Sequence, residues 1–495
     1  MNQALHIFRK DVRRLWPAIL LTLVLLGVLA WEDSRRGDFT PSALEGILNL
    51  LLPAAWAALI AGVVQEEGFV DDRAFWLTRP YSRNSLALAK LLFVGLFVHA
   101  ACLLSHCYIL SARGFLPWEH IPHLLWKQLL LAAALTLPAA ALAAVTSSFA
   151  RFAFCAAVVV AISVALRTGV ESHPFPWLPR DTIRRAVPLA LIALSSAAIL
   201  ALQYGRRRTL LSRGVGAGFA SAAAAVFALT PAETTVEARC ALAPDAAIAP
   251  VIRYAPDAKP VDNYAYVRSS LVPVIVPVQI AGLENYAESG FEQLSTEVQG
   301  SRVQGGLGWS RFKPLAWHHL NIERTDFAKL ASGPVTVRGR AAVIVWKAGQ
   351  ERTMPAVNGF AQVPGLGHCS ATRTETQHGE DLLKLMCETP GELPLLTNIR
   401  LNDPSTGEEW KHRLGDSYTD VRYPAESPLS PLTRRQTFFH IRPVSSGRPG
   451  DRWTVPDQSV ARSQFTLSAF EVAGCRVVRY EISGVQLSRH IARTR

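Results

Sequence analysis

Uncharged windows of membrane length fill the first 230 residues and then stop. Residues 16–31, 46–64, 91–112, 128–150, 152–166, 186–205 and 214–232 contain no Asp, Glu, Lys or Arg. A bilayer core about 30 Å thick needs roughly 20 apolar helical residues, because backbone amides in lipid must bond within their own segment. The pattern therefore predicts an α-helical polytopic membrane domain of about seven spans over residues 1–232. The fifth window is short and suits a broken or half-buried helix as well as a full span.

From Val267 onward the pattern changes to apolar runs of six to twelve residues set between Gly, Pro and Asn-Asp turns. Residues 271–281, 335–346, 382–387, 437–441 and 477–482 are rich in Val and Ile with partial alternation, which predicts antiparallel strands. Residues 233–495 thus read as a mostly β, sandwich-like domain, either two modules joined near residues 350–360 or one larger sandwich. Residues 284–297 and 326–331 read as short helices, with Gly290 weakening the first.

Charge gives this division a direction. The net charge is +12; the first 230 residues hold 21 Lys and Arg against 12 Asp and Glu, the remainder 30 against 27. The excess lies beside the apolar windows, where anionic headgroups and the positive-inside rule place it, and no basic stretch interleaved with aromatics marks a nucleic-acid surface. Arg9, Lys10, Arg13 and Arg14 precede the first window, Trp16 and Trp31 bracket it, and no small-residue cleavage site follows. This predicts an uncleaved first helix with a cytoplasmic N-terminus. Alternating from there, the inner segments carry thirteen basic residues and the outer ones eight. Seven spans would then place residues 233–495 outside the membrane.

Seven cysteines divide three to four between the halves. An outer domain permits disulfides. Cys369 and Cys387 could close a hairpin around the polar turn at 374–380, and Cys240 with Cys475 could join the ends of the domain; four buried thiols is the alternative.

The most informative stretch joins the second and third windows. Gln65, Glu66, Glu67, Asp71 and Asp72 are followed by Arg73, Phe75, Trp76, Arg79, Pro80 and Arg83, then by Leu86 to Lys90 entering the next window. Phe75 and Trp76 suit headgroup depth, Pro80 breaks a helix, and Ser82 or Ser85 can cap a new one. Phe-Trp-Leu-Thr-Arg-Pro after an acidic stretch and before Ser-Arg and a Leu-rich Ala-Lys segment resembles the permease subunits of bacterial ABC exporters. The resemblance extends over roughly residues 1–210, chiefly as a pattern of six spans. It implies a membrane-spanning exporter subunit in the bacterial inner membrane, paired as a homodimer or heterodimer and served by a separate ABC ATPase. By position it implies that Glu66, Glu67, Asp71, Asp72, Arg73, Phe75, Trp76, Arg79, Pro80 and Arg83 form the ATPase-facing coupling loop, residues 65–83. A seventh span and a large periplasmic domain depart from the six-span core of that family.

Catalytic signatures are missing. No G-x-x-x-x-G-K-[ST] cradle, H-E-x-x-H, C-x-x-C or G-x-S-x-G elbow occurs. The chain is expected to be no enzyme and to need no cofactor or metal, any ATP hydrolysis coming from a partner. Gly305, Gly306 and Gly308 read as a turn. His318 and His319 would point to opposite faces of a strand. His99, Cys102 and His106 share one face of the third window; intramembrane polar groups call for a functional hypothesis, and helix packing is the competing explanation. The rival reading of the whole chain is a membrane-anchored binding or sensory protein whose spans only hold the β domain outside.

Overall fold

The structure is a computed structural model that describes residues 2–35, 43–66, 82–170, 182–206, 209–229, 237, 240–244, 248–258, 270–283, 285–307, 315–375, 381–391, 397–412, 429–442 and 454–491. It divides into two units. The first comprises Met1–Leu229 with two later segments, Met386–Leu393 and Val421–Thr437; the second comprises Thr230–Leu385, Pro394–Asp420 and Phe438–Arg495.

The first unit is helical. Its elements are α1 (Asn2–Arg35), α2 (Ala43–Gln65), α3 (Arg83–Val94), α4 (Ala101–Ala112), α5 (Ile121–Leu131), α6 (Leu137–Val145), α7 (Phe149–Val170), α8 (Thr182–Arg206) and α9 (Thr209–Leu229). Two π-helical turns, Gly95–Ala100 and Ala132–Thr136, join α3 to α4 and α5 to α6 without a break. Five bodies are long and apolar enough to cross a membrane: Gln3–Arg35, Leu44–Gln65, Asn84–Ala112, Pro117–Val145 and Val187–Tyr204. The expected count of about seven is not confirmed: five such bodies lie among the described residues. The fifth predicted window lies on α7, of which Phe149–Ala161 is a shorter apolar stretch among the described residues.

Packing follows the apolar faces. α1 lies against α2, α3 and α4, α2 against α6, α6 against α8, and α8 against α9. Leu52, Trp56, Ile60, Phe93 and Val98 are fully buried among them, whereas Leu20, Leu50, Leu91, Leu104 and Leu129 point outward. An outward leucine surface around a close-packed interior is what a bundle solvated by lipid presents. Trp16 and Trp31 are both exposed on α1, and Arg35 stacks over Trp31 at 4.4 Å.

The second unit is built from strands. Leu271–Ala281 (β2) pairs with Val251–Tyr254 (β1) and Leu315–Glu323 (β6), and β6 with Gln304–Leu307 (β5), to give a four-stranded sheet. Facing it, Val335–Ala348 (β7) lies between Glu288–Val298 (β3) and the 22-residue strand Gln464–Val485 (β16). Val274, Val276, Val278, Leu320 and Ile322 meet Phe291, Val337, Val343, Val345 and Ile482 between the sheets, which is a sandwich core. Cys240 and Cys475 form a disulfide, and Cys369 and Cys387 are also disulfide-bonded.

Two expectations fail locally. The described residues 285–297 are not a helix: β3 takes up 288–298, because Gly290 weakens a helix and the strand's pairing with β7 buries Phe291 and Val298. Gly305 and Gly306 are not a turn either, and Gly308 lies outside the described residues. Gly305 and Gly306 pair in β5, and at Gly305, with φ 147°, an added Cβ would overlap the His319 carbonyl. Residues 326–331 do fall on a helix, Arg324–Leu330.

Candidate functional site: polar contacts of the helical unit

Near its start, α1 holds both described ends of the 65–83 segment. Glu66, just past α2, pairs with Arg14. On the other side, the Ser82 amide donates to Gln3 Oε1 at 3.3 Å, and the Ser82 side chain caps α3 by accepting from the Ser85 amide at 3.1 Å. This fixes the helix start at one of the two serines the sequence offered. About two turns further in, Lys90 Nζ meets Asp11 Oδ2 at 2.8 Å with both side chains nearly sealed, 6% and 0% exposed. Lys10 lies 3.4 Å from the other Asp11 oxygen. Arg83 opens α3. Glu67, Asp71, Asp72, Arg73, Phe75, Trp76, Arg79 and Pro80 lie outside the described residues.

Halfway along the bundle the two π turns face one another. Each adds one residue to a helical turn and turns side chains that a regular helix would space differently. His99 in the first bonds Thr136 Oγ1 of the second at 3.2 Å through Nε2, and Gln128 Oε1 at 3.0 Å through Nδ1. Cys102 Sγ lies 3.5 Å from His106 Nε2, which donates to the Leu429 carbonyl at 2.9 Å. The predicted face of His99, Cys102 and His106 is therefore split. His99 binds α5 and its π turn, while His106 binds a segment from the far end of the chain. No described group of His, Cys, Asp and Glu is arranged to hold a metal ion.

At the opposite end of α1, residues from four chain segments form a buried knot. Arg434 pairs with Asp33, and Ser430 Oγ donates to Asp33 Oδ2 at 2.8 Å. Arg113, at the C-cap of α4, donates through Nη2 to the Asp33 carbonyl at 2.8 Å, and Arg434 reaches the same carbonyl at 3.2 Å. Glu388 Oε2 lies 3.5 Å from Arg434 and 4.0 Å from Arg113. Two carboxylates and two guanidiniums balance, and all four side chains are at most 12% exposed. Lys127 Nζ donates to the Ser430 carbonyl at 3.2 Å.

Apolar anchors flank these polar contacts. Leu429 inserts into the main helical core, and Leu432 packs among Ala30, Ile109, Leu110, Phe115 and Leu124. Sequence reasoning did not find Asp11, Lys90, Asp33, Glu388 or Arg434. A usable signal existed for Lys90, which directly precedes the window 91–112, since a charge at the very edge of an apolar window needs a partner.

In the second unit His318 is fully buried on β6 and 2.6 Å from the Tyr480 hydroxyl, which donates to Gln293 Oε1 at 3.0 Å. Burial pushes His318 down to about 4 and raises Tyr480. Its neighbour His319 faces the other side of the strand, as alternation requires. A neutral, hydrogen-bonded pair inside a sandwich core suits packing.

No protein-family model matches the chain, and comparisons with curated proteins and with solved structures return no match either.

Proposed function

We propose that the chain is the membrane-spanning subunit of an ATP-driven exporter, working as a dimer and coupled through residues 65–83 to a separate ATPase. The carrying observation is the grip of α1 on that segment: Arg14 holds Glu66 and Gln3 holds Ser82, while the buried Asp11–Lys90 pair fixes α3 just beyond. A loop docked on an ATPase through Phe75, Trp76, Arg79 and Arg83 would thereby pull directly on a membrane-length helix. Breaking a buried ion pair costs about 3–5 kcal/mol, enough to transmit a displacement rather than yield to it.

Seven spans, an odd number, would send the β unit to the side opposite a cytoplasmic N-terminus. Four disulfide-bonded cysteines in the second half suit an oxidising compartment. The membrane is then a bacterial inner membrane, with the β unit in the periplasm.

Co-expression with the cognate ATPase tests the reading. A stable complex is expected from the parent chain, with loss of the ATPase from Trp76→Ala combined with Arg79→Ala. Unchanged assembly of that variant refutes the assignment of the loop. A parent chain that captures no ATPase, but whose outer residues bind a ligand, favours the anchored binding protein instead.

A further inference from the structure

The knot around Asp33 has no place in the coupling just described, and its cost asks for a reason. Buried ion pairs add little net stability over apolar packing of equal volume, yet removing one partner strands a charge. Such a device suits a contact that must be firm in one state and separable in another. Residues 429–434 have that character. Leu429 and Leu432 are wedged between helices, while Ser430 and Arg434 fasten to Asp33 on α1, with Glu388 and Arg113 closing the charge balance. The wedge touches α1 through Asp33, α4 through His106 and α5 through Lys127. It is also covalently continuous with β14 (Thr433–Arg442), whose later residues belong to the second unit.

We propose that residues 429–434 are a latch that closes the corner between α1, α4 and α5 at the end of the bundle remote from the coupling loop. Release of the latch is the event that α1 links to that loop. One helix, Asn2–Arg35, carries both attachments, Gln3, Asp11 and Arg14 at its start and Asp33 at its end. Because a continuous helix resists compression and the side chains at both ends are pinned, displacement at one end changes the strain on the contacts at the other. The link to the loop rests on the exporter reading; the latch itself does not.

The test uses the full chain with Cys102, Cys107 and Cys155 replaced by Ala and the disulfide cysteines kept. Ser430→Cys reports on the latch through its rate of reaction with a bulky maleimide, and Ala143→Cys, buried in the helical core, reports on global opening. Slow labelling of Ser430→Cys is expected, rising at least tenfold with Asp33→Asn and with Glu388→Gln while Ala143→Cys stays protected. Equal rates with and without the charge changes overturn the latch. So does labelling of Ala143→Cys in step with Ser430→Cys, since the segment would then part only when the bundle unfolds. With the ATPase bound, ATP is expected to accelerate Ser430→Cys labelling. Charge variants that behave as expected alongside no response to ATP leave the latch standing and refute its coupling to nucleotide.

Discussion

Replacing Lys90 by Met tests whether α1 is fastened to α3 as described. The substitution keeps most of the side-chain volume and removes the ammonium 2.8 Å from an Asp11 carboxylate that is itself fully buried. Truncating one partner of a buried pair costs about 3–5 kcal/mol. Lys10, 3.4 Å from the other carboxylate oxygen and 32% exposed, stays as a partial partner and brings the expectation to roughly 2–4 kcal/mol. At about 2–4 °C per kcal/mol for a unit of this size, the melting temperature should fall by about 5–15 °C. The assay is size-exclusion recovery of the detergent-solubilised chain after heating. Adding Asp11→Leu should restore most of the loss, because an apolar pair of similar volume replaces an ion pair at little or no cost. A Lys90→Met chain that melts within a degree of the parent refutes the reasoning, as does a double variant no better than the single one.

Three further outcomes follow from the β unit. Gly339→Ala should destabilise it by roughly 2 kcal/mol or more, because the added Cβ would overlap the Tyr480 ring; chemical denaturation of the full chain, followed by Trp fluorescence, reads this. His318 binds its proton in the folded state only near pH 4, and in the unfolded state near pH 6.5. Between those values the unfolded chain holds more protons, so the stability contribution is complete above about pH 6.5 and declines by up to about 3 kcal/mol as the pH falls toward 4; His318→Gln should flatten that slope. Replacing Cys240 and Cys475 together by Ser releases a loop closed over a sequence separation of 235, and should lower stability by up to about 5 kcal/mol in the same assay under non-reducing conditions.

What the sequence made legible was local. The run 271–281 has β-branched residues at nearly every second position and appears as β2 with those limits, and Ser82 caps α3 because Pro80 and a serine precede a leucine-rich helix. The change from long uncharged windows to short alternating runs likewise separates helices from strands in the structure. Residues 284–297 misled because their helix-tolerant composition says nothing of the β7 partner that claims them. The π turns were hidden for a similar reason: the spacing of His99, Cys102 and His106 was projected on a regular helix, and the inserted residue turns His99 toward Gln128 and Thr136. The knot was out of reach, since Arg434 and Asp33 stand 401 residues apart and pair only because a segment of the second half belongs to the helical unit.

Sidedness is the most direct test of the account. Reporter fusions after Arg83 and after Arg495, each active in only one compartment, should place the first in the cytoplasm and the second beyond the membrane. Both reporters active in the same compartment would contradict the odd number of crossings, and with it the exporter reading and the outward placement of the β unit.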